Sequence, residues 1–288
     1  MPLLTRTRLT VYPLIFLACY LAAGGVNIAG GLLQGAGLVD LQGKPVGSDF
    51  VTFWAGSVLA HRGHPEAVYQ GAALKAVVQK ATGAAREYPW HYPPGFLLFT
   101  LPLGLLPYLW SLGIWLAATL SAYLGVVRAW APHPLGPWLA LAFPGAFQNF
   151  FQGQNGFLST ALLGGGLLLL DRRPWLAGAL LGLLTYKPHL AVLVPVVLLA
   201  TPFAFDYDPA LLAVPLTCLG RQGWEEGCSG SEQALLTLAY LTPFLAPAAA
   251  RFLSLPLAPV ILAALLTLVV RRVYQGFPRP QVKEGLTA

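Results

Sequence analysis

Two ionisable residues stand where an apolar chain has little reason to place them. Asp49 occurs in Gly47-Ser48-Asp49-Phe50, and Lys187 occurs in Leu184-Thr185-Tyr186-Lys187-Pro188, inside a long apolar run. A carboxylate at a membrane–water boundary has the chemistry of a general base that takes a proton from an incoming hydroxyl. It is equally compatible with plain capping, because a negative charge is favoured at a helix N-terminus. A lysine within a membrane span is costly and marks a site by default, one that can neutralise a phosphate. Snorkelling to the interface is the competing account.

Uncharged polar strings lie around these two. Tyr88-Pro89-Trp90-His91-Tyr92-Pro93-Pro94 reads either as an ordinary interfacial belt or as a fixed, non-helical approach to a cavity. Gln152-Gly153-Gln154-Asn155-Gly156 is either a tight turn or a set of amides for sugar hydroxyls. Asp206 and Asp208, flanking Tyr207, mark the start of an apolar run that follows Lys187 closely. His61, His64 and His189 do not assemble into a metal set, and Cys19, Cys218 and Cys228 lack metal-site spacing, so neither metal nor cofactor is expected.

The elements that must position these groups follow from the charges. Only 10% of the residues are charged and 56% are hydrophobic, against about 25% charged in an ordinary soluble chain. No Asp, Glu, Lys or Arg falls within residues 9–39, 88–127 or 129–170, and each gap has room for a crossing of about 20 residues. A soluble fold is excluded on this pattern. The expectation is an all-α, polytopic transmembrane bundle forming one domain over residues 1–288. It has about eight spans, near residues 11–33, 108–128, 136–151, 154–171, 174–200, 203–220, 233–250 and 256–272. The first is read as a retained signal anchor.

Positive charge flanking the spans sets the orientation. Arg6, Arg8, Arg128, Arg172, Arg173, Arg221, Arg271 and Arg272 all fall inside with eight crossings, leaving Arg251 in disagreement. Both termini are then cytoplasmic, as is a polar loop over residues 222–233. Residues 34–91 form an extracytoplasmic loop. Within it, residues 48–61 read as a helix with Ser48 as N-cap and Gly63 as stop signal. Phe50, Phe53, Trp54, Ser57, Val58 and His61 share one flank, which suits a helix lying on the membrane surface. A ninth crossing over residues 92–107 would put Arg128 or Arg172–Arg173 outside, so this run reads as a half-helix or re-entrant segment on the outer side, which its prolines suit. The formal charge of +6 sits in short flanks beside apolar segments, so it points to topology and not to nucleic acid.

Five strings in order carry a resemblance: Gly47-Ser48-Asp49-Phe50 with Phe53-Trp54, Gly63-His64-Pro65 and Val68-Tyr69; Tyr92-Pro93-Pro94; Gly153-Gln154-Asn155; Arg172-Arg173-Pro174-Trp175-Leu176-Ala177-Gly178; and Leu184-Thr185-Tyr186-Lys187-Pro188. Over residues 10–200 the chain resembles glycosyltransferase family 87, membrane enzymes of the GT-C superfamily, and residues 201–212 resemble a later family segment. The resemblance implies a GT-C-like fold in the cell membrane and an active site on the extracytoplasmic face. It implies a polyprenyl-phosphate sugar donor, often a mannose donor, and a glycan or glycolipid acceptor. Asp49 matches the family's catalytic base. Lys187, Tyr92, Gln154, Asn155, Asp206, Asp208 and His64 are the candidates for binding the donor phosphate or substrate.

One departure is plain: family members carry further spans between the Lys-Pro helix and the segment resembling residues 201–212, and here the two are joined almost directly. A degenerate member kept as an assembly subunit, or a lipid or solute transporter, are the rival readings. A transporter should show two matching halves with paired interrupted spans, and only one interrupted region is found.

Overall fold

The computed structural model describes residues 5–187, 212–253 and 257–274. Every regular element among them is helical, and the one extended pairing is an isolated bridge between Val39 and Pro45. Helix α1 (Arg6–Leu33) follows from an apolar run uninterrupted by charge, with Thr5 capping it by accepting from the Arg8 amide at 3.3 Å. Helix α5 (Tyr108–Trp130) is the second long apolar helix. At 1.5 Å per residue both exceed the ~30 Å hydrocarbon layer. Residues Thr7–Leu33 and Tyr108–Trp130 are the two described helices long and apolar enough to cross a membrane. Apolar side chains along α1, Val26 and Leu33 among them, face outward.

The other apolar runs are organised differently from the eight expected crossings. The run 136–151 is two helices, α6 (Leu135–Leu141) and α7 (Pro144–Gln152). Pro144 lacks an amide proton and forces Phe143 into extended backbone, so the ladder breaks there. Helix α8 (Gly156–Leu169) has 14 residues and α9 (Pro174–Leu183) has 10, both short of the roughly 20 needed for a perpendicular span. Instead of running to residue 200, α9 gives way to a 3₁₀ turn, Leu184–Tyr186, and Lys187 follows with φ −119° and ψ 83°. A residue before proline avoids the α region, which accounts for the non-helical backbone at Lys187.

Helices α10 (Ala213–Glu226), α11 (Gly230–Leu253) and α12 (Leu257–Tyr274) complete the chain. The expected polar loop 222–233 is mostly helical. Ser229 and Glu232 form a capping box, the Ser229 amide donating to Glu232 Oε2 at 2.9 Å and the Glu232 amide to Ser229 Oγ at 3.3 Å.

Two apolar cores result. One gathers α6, the C-terminal half of α5, the start of α8 and α10 to α12. The other surrounds α2 (Phe50–His61), covered by a 3₁₀ turn (Pro65–Tyr69), α3 (Gly71–Thr82) and α4 (Pro94–Thr100) with its 3₁₀ continuation Leu101–Leu105. Here two expectations change. Asp49, not Ser48, is the N-cap of α2, although its side chain makes no capping bond; Gly63, at φ +85°, ends the turn after Arg62 as expected. Much of the expected surface flank of α2 also meets protein: Phe50, Phe53 and Ser57 are fully buried, while Trp54 is half-buried and His61 exposed.

Segment 94–106 covers that flank and is stitched to it. Ser57 Oγ lies 2.7 Å from the Thr100 carbonyl, Trp54 Nε1 donates to Leu106 O at 2.9 Å, and His61 Nε2 lies 2.8 Å from Leu101 O. The half-helix expected over 92–107 is therefore a seven-residue helix and a 3₁₀ turn whose irregular carbonyls find partners on α2.

Candidate active site

Helix α5 brings two loops together. Near its N-terminal end, Tyr108 Oη donates to the Val46 carbonyl and fixes the loop that leads into Asp49. Two turns further on, Trp115 Nε1 donates to Gly153 O at 3.1 Å and fixes the turn between α7 and α8. Gly153 ends α7 in the left-handed region at φ +66°, and a Cβ there would meet Phe50 Cβ at 2.6 Å. Glycine is what allows this turn to lie directly on the start of α2. The loops are joined by the Asp49 amide, which donates to Gln152 O at 2.9 Å.

That junction sets the side chains. Gln154 Nε2 donates to Asp49 Oδ2 at 2.9 Å. The same amide's Oε1 accepts from the Asn155 backbone at 2.8 Å and from Tyr92 Oη at 3.4 Å. With donors on both sides of Oε1, the amide is oriented so that its nitrogen faces the carboxylate. Asp49 thus keeps one oxygen engaged, and Oδ1 has no protein donor among the described residues.

Burial is the largest influence on Asp49 and raises its pKa from the usual 3.8 to about 6. Lys187, Lys44 and the Gln154 hydrogen bond each pull it back down. Lys187, 3% exposed, is the strongest of the lowering influences. Its position is set by Tyr186, whose hydroxyl lies 2.8 Å from Ser159 Oγ on α8 and whose ring stacks on Phe96 at 4.6 Å. Tyr92 packs edge-on against Phe53 at 5.4 Å and completes the wall.

Asn155 is fully buried at the start of α8, and its side-chain amide has no hydrogen-bond partner among the described residues; the same holds for buried Asn149 on α7. Such orphaned amides cost on the order of 1–3 kcal/mol each and gather where a fold serves a site.

Of the residues singled out from sequence, Asp49, Gln154, Tyr92, Asn155 and Lys187 converge here. His64 does not: it is exposed, with Nδ1 3.5 Å from Glu66, and its amide closes the end of α2 on Leu59 O. Asp206 and Asp208 lie outside the described residues, as do Pro188 and His189. No group of three His, Cys, Asp or Glu among the described residues could hold a metal ion. Sequence reading missed Lys44, Tyr108, Trp115, Ser159 and Tyr186. Lys44 carried a signal, being a cation five residues before Asp49 in the same loop; Tyr108 and Trp115 carried one in their seven-residue spacing along one helix face.

Among the described residues the site is thus an all-helical one, with a partly buried carboxylate under the electrostatic influence of a buried lysine. Residues 90–202 are similar to the model of glycosyltransferase family 87. That stretch contains Tyr92, Gln154, Asn155 and Lys187. Asp49 precedes it, so what ties Asp49 to the matched residues is the Gln154 hydrogen bond. No curated protein and no solved structure matches the chain.

Proposed function

We propose that this chain is a multi-pass membrane glycosyltransferase that moves a hexose from a polyprenyl phosphate to the hydroxyl of an extracytoplasmic glycan or glycolipid, with Asp49 as general base. Mannose is the sugar the family resemblance favours. The observation that carries the reading is the Asp49 carboxylate, held by Gln154, with Lys187 within electrostatic reach.

The chemistry balances simply. The acceptor oxygen attacks the anomeric carbon as the bond from that carbon to the phosphate oxygen breaks. The bonding pair leaves with the polyprenyl phosphate, and the acceptor proton goes to Asp49. A base works best with a pKa near the working pH, and a value of about 6 leaves Asp49 mostly ionised at neutrality while still able to hold a proton. Lys187 faces the negative charge that grows on the departing phosphate, where a fixed cation in an apolar setting is most effective.

The test is transfer from labelled polyprenyl-phosphate mannose in membranes containing the protein, beside Asp49→Asn. The substitution should lower transfer by about 10²- to 10⁴-fold, the usual worth of a general base. Unchanged transfer by Asp49→Asn removes Asp49 from the mechanism. Transfer from the glucose donor alone replaces the sugar and keeps the class.

A further inference from the structure

A second polar site adjoins the first. A cleft of about 470 Å³ opens between α1, the loop before α2, and α7, lined in part by Asn27, Asp40, Lys44, Ser48, Gln148 and Gln152. It adjoins the Asp49 site, because Ser48 and Gln152 line it and the Asp49 amide donates to Gln152 O. From this cleft we infer that a neutral sugar ring binds here, as part of the acceptor glycan; the acceptor role rests on the transferase reading above.

The lining has the chemistry of a carbohydrate site. Asp40 is held rigid: Asn27 Nδ2 donates to Oδ2 at 3.0 Å, and the Gln42 and Lys44 amides donate to Oδ1 at 2.8 and 2.9 Å. Gln148, which lines the cleft, is anchored through Nε2 to Pro243 O at 2.9 Å. Among the described residues the side chains of Lys44, Ser48 and Gln152 make no hydrogen bond, which leaves an ammonium, a hydroxyl and an amide for ligand hydroxyls.

Phe147 and Phe151 supply apolar faces, with ring centroids 4.7 Å apart, and Phe147 is backed by Tyr20 at 4.5 Å. Gly24 gives Phe151 its seat, since a Cβ there would lie 2.0 Å from the ring. One carboxylate and one ammonium cancel, so the cleft selects for an uncharged, hydroxyl-rich ligand over a phosphate.

The probe is an alkyl mannoside bearing a diazirine on the sugar, with the protein in lipid nanodiscs. Photolabelling should map to residues 23–28 or 147–152. It should be competed by octyl mannoside and not by inorganic phosphate, and should drop about tenfold in Gln152→Ala, the worth of one buried hydrogen bond. In the transfer assay, Gln152→Ala should raise the acceptor KM and leave the donor KM unchanged. Labelling elsewhere, competition by phosphate, or labelling indifferent to both Gln152→Ala and Gly24→Ala overturns the site. Labelling in the cleft by a protein that transfers no sugar supports the site and overturns the transferase reading instead.

Discussion

Asp49 is pulled in opposite directions, and the balance is measurable. Burial pushes its pKa up to about 6 while Lys187, Lys44 and Gln154 hold it down. Transfer should therefore fall as pH drops through about 6, because the base becomes protonated. Lys187→Met removes a lowering influence, so its acidic limb should move to higher pH, and Gln154→Leu should move it the same way by a smaller amount. A pH profile unchanged in Lys187→Met refutes the coupling. The stability effect has the opposite sense to that of most carboxylates. A carboxyl with a raised folded-state pKa contributes stability below its unfolded value of 3.8, and loses that contribution as pH rises through about 6. Asp49→Asn should accordingly raise the Tm at pH 7.5 and leave it nearly unchanged at pH 4, read by thermal unfolding in detergent. Asp49 and Lys187 were visible in the sequence because ionisable groups are rare in this chain. Their partners were less visible: Tyr186 and Ser159 resemble any other apolar-helix residues until α8 and the 3₁₀ turn are placed side by side.

At the scale of elements, the site depends on α5 as a ruler and on one glycine. Gly153→Ala places a Cβ on a residue at φ +66° and 2.6 Å from Phe50 Cβ. The left-handed strain alone is worth about 1–2 kcal/mol, and the clash adds to it. The variant should lose stability by at least that much in a denaturation series and should also lose transfer, because the turn carrying Gln154 is displaced from Asp49. Full activity in Gly153→Ala would mean that the two loops need not touch. Element breaks were written in the chain by prolines: Pro144 divides the run 136–151, and Pro188 ends the helical path before Lys187. The Ser229–Glu232 capping box was also there to read. The burial of α2 was not, because an aromatic flank at helical spacing looks the same whether lipid headgroups or a neighbouring segment cover it. The deciding partners, the carbonyls of Thr100, Leu101 and Leu106, lie about 40 to 50 residues away along the chain.

For the whole molecule, the two ends of α5 set the argument about sides. Near its start, Tyr108 and Trp115 hold the Asp49 and Gln154 loops. At its far end, Trp130 O accepts from Arg221 Nη1 at 3.2 Å, and Arg128 lies in the last turn. From Tyr108 to Trp130 the helix rises about 33 Å, close to the hydrocarbon thickness. The basic residues and the Asp49 site therefore sit at opposite ends of one membrane-length helix. The proposed extracytoplasmic site rests on this arrangement, because arginine-rich ends favour the cytoplasm. Charge gaps in the sequence located the apolar runs, but the number of crossings did not follow from them. A hydropathy sum treats α6 and α7 as it would one long helix, and only the backbone separates them. Orientation can be checked without settling that number. With Cys19, Cys218 and Cys228 replaced by serine, His64→Cys should react with a membrane-impermeant maleimide on intact cells, since His64 is exposed on the loop that carries Asp49. Arg172→Cys, between α8 and α9, should react only after permeabilisation. Equal labelling of both on intact cells would put the two ends on one side, and an extracytoplasmic active site could not then be argued from the arginines.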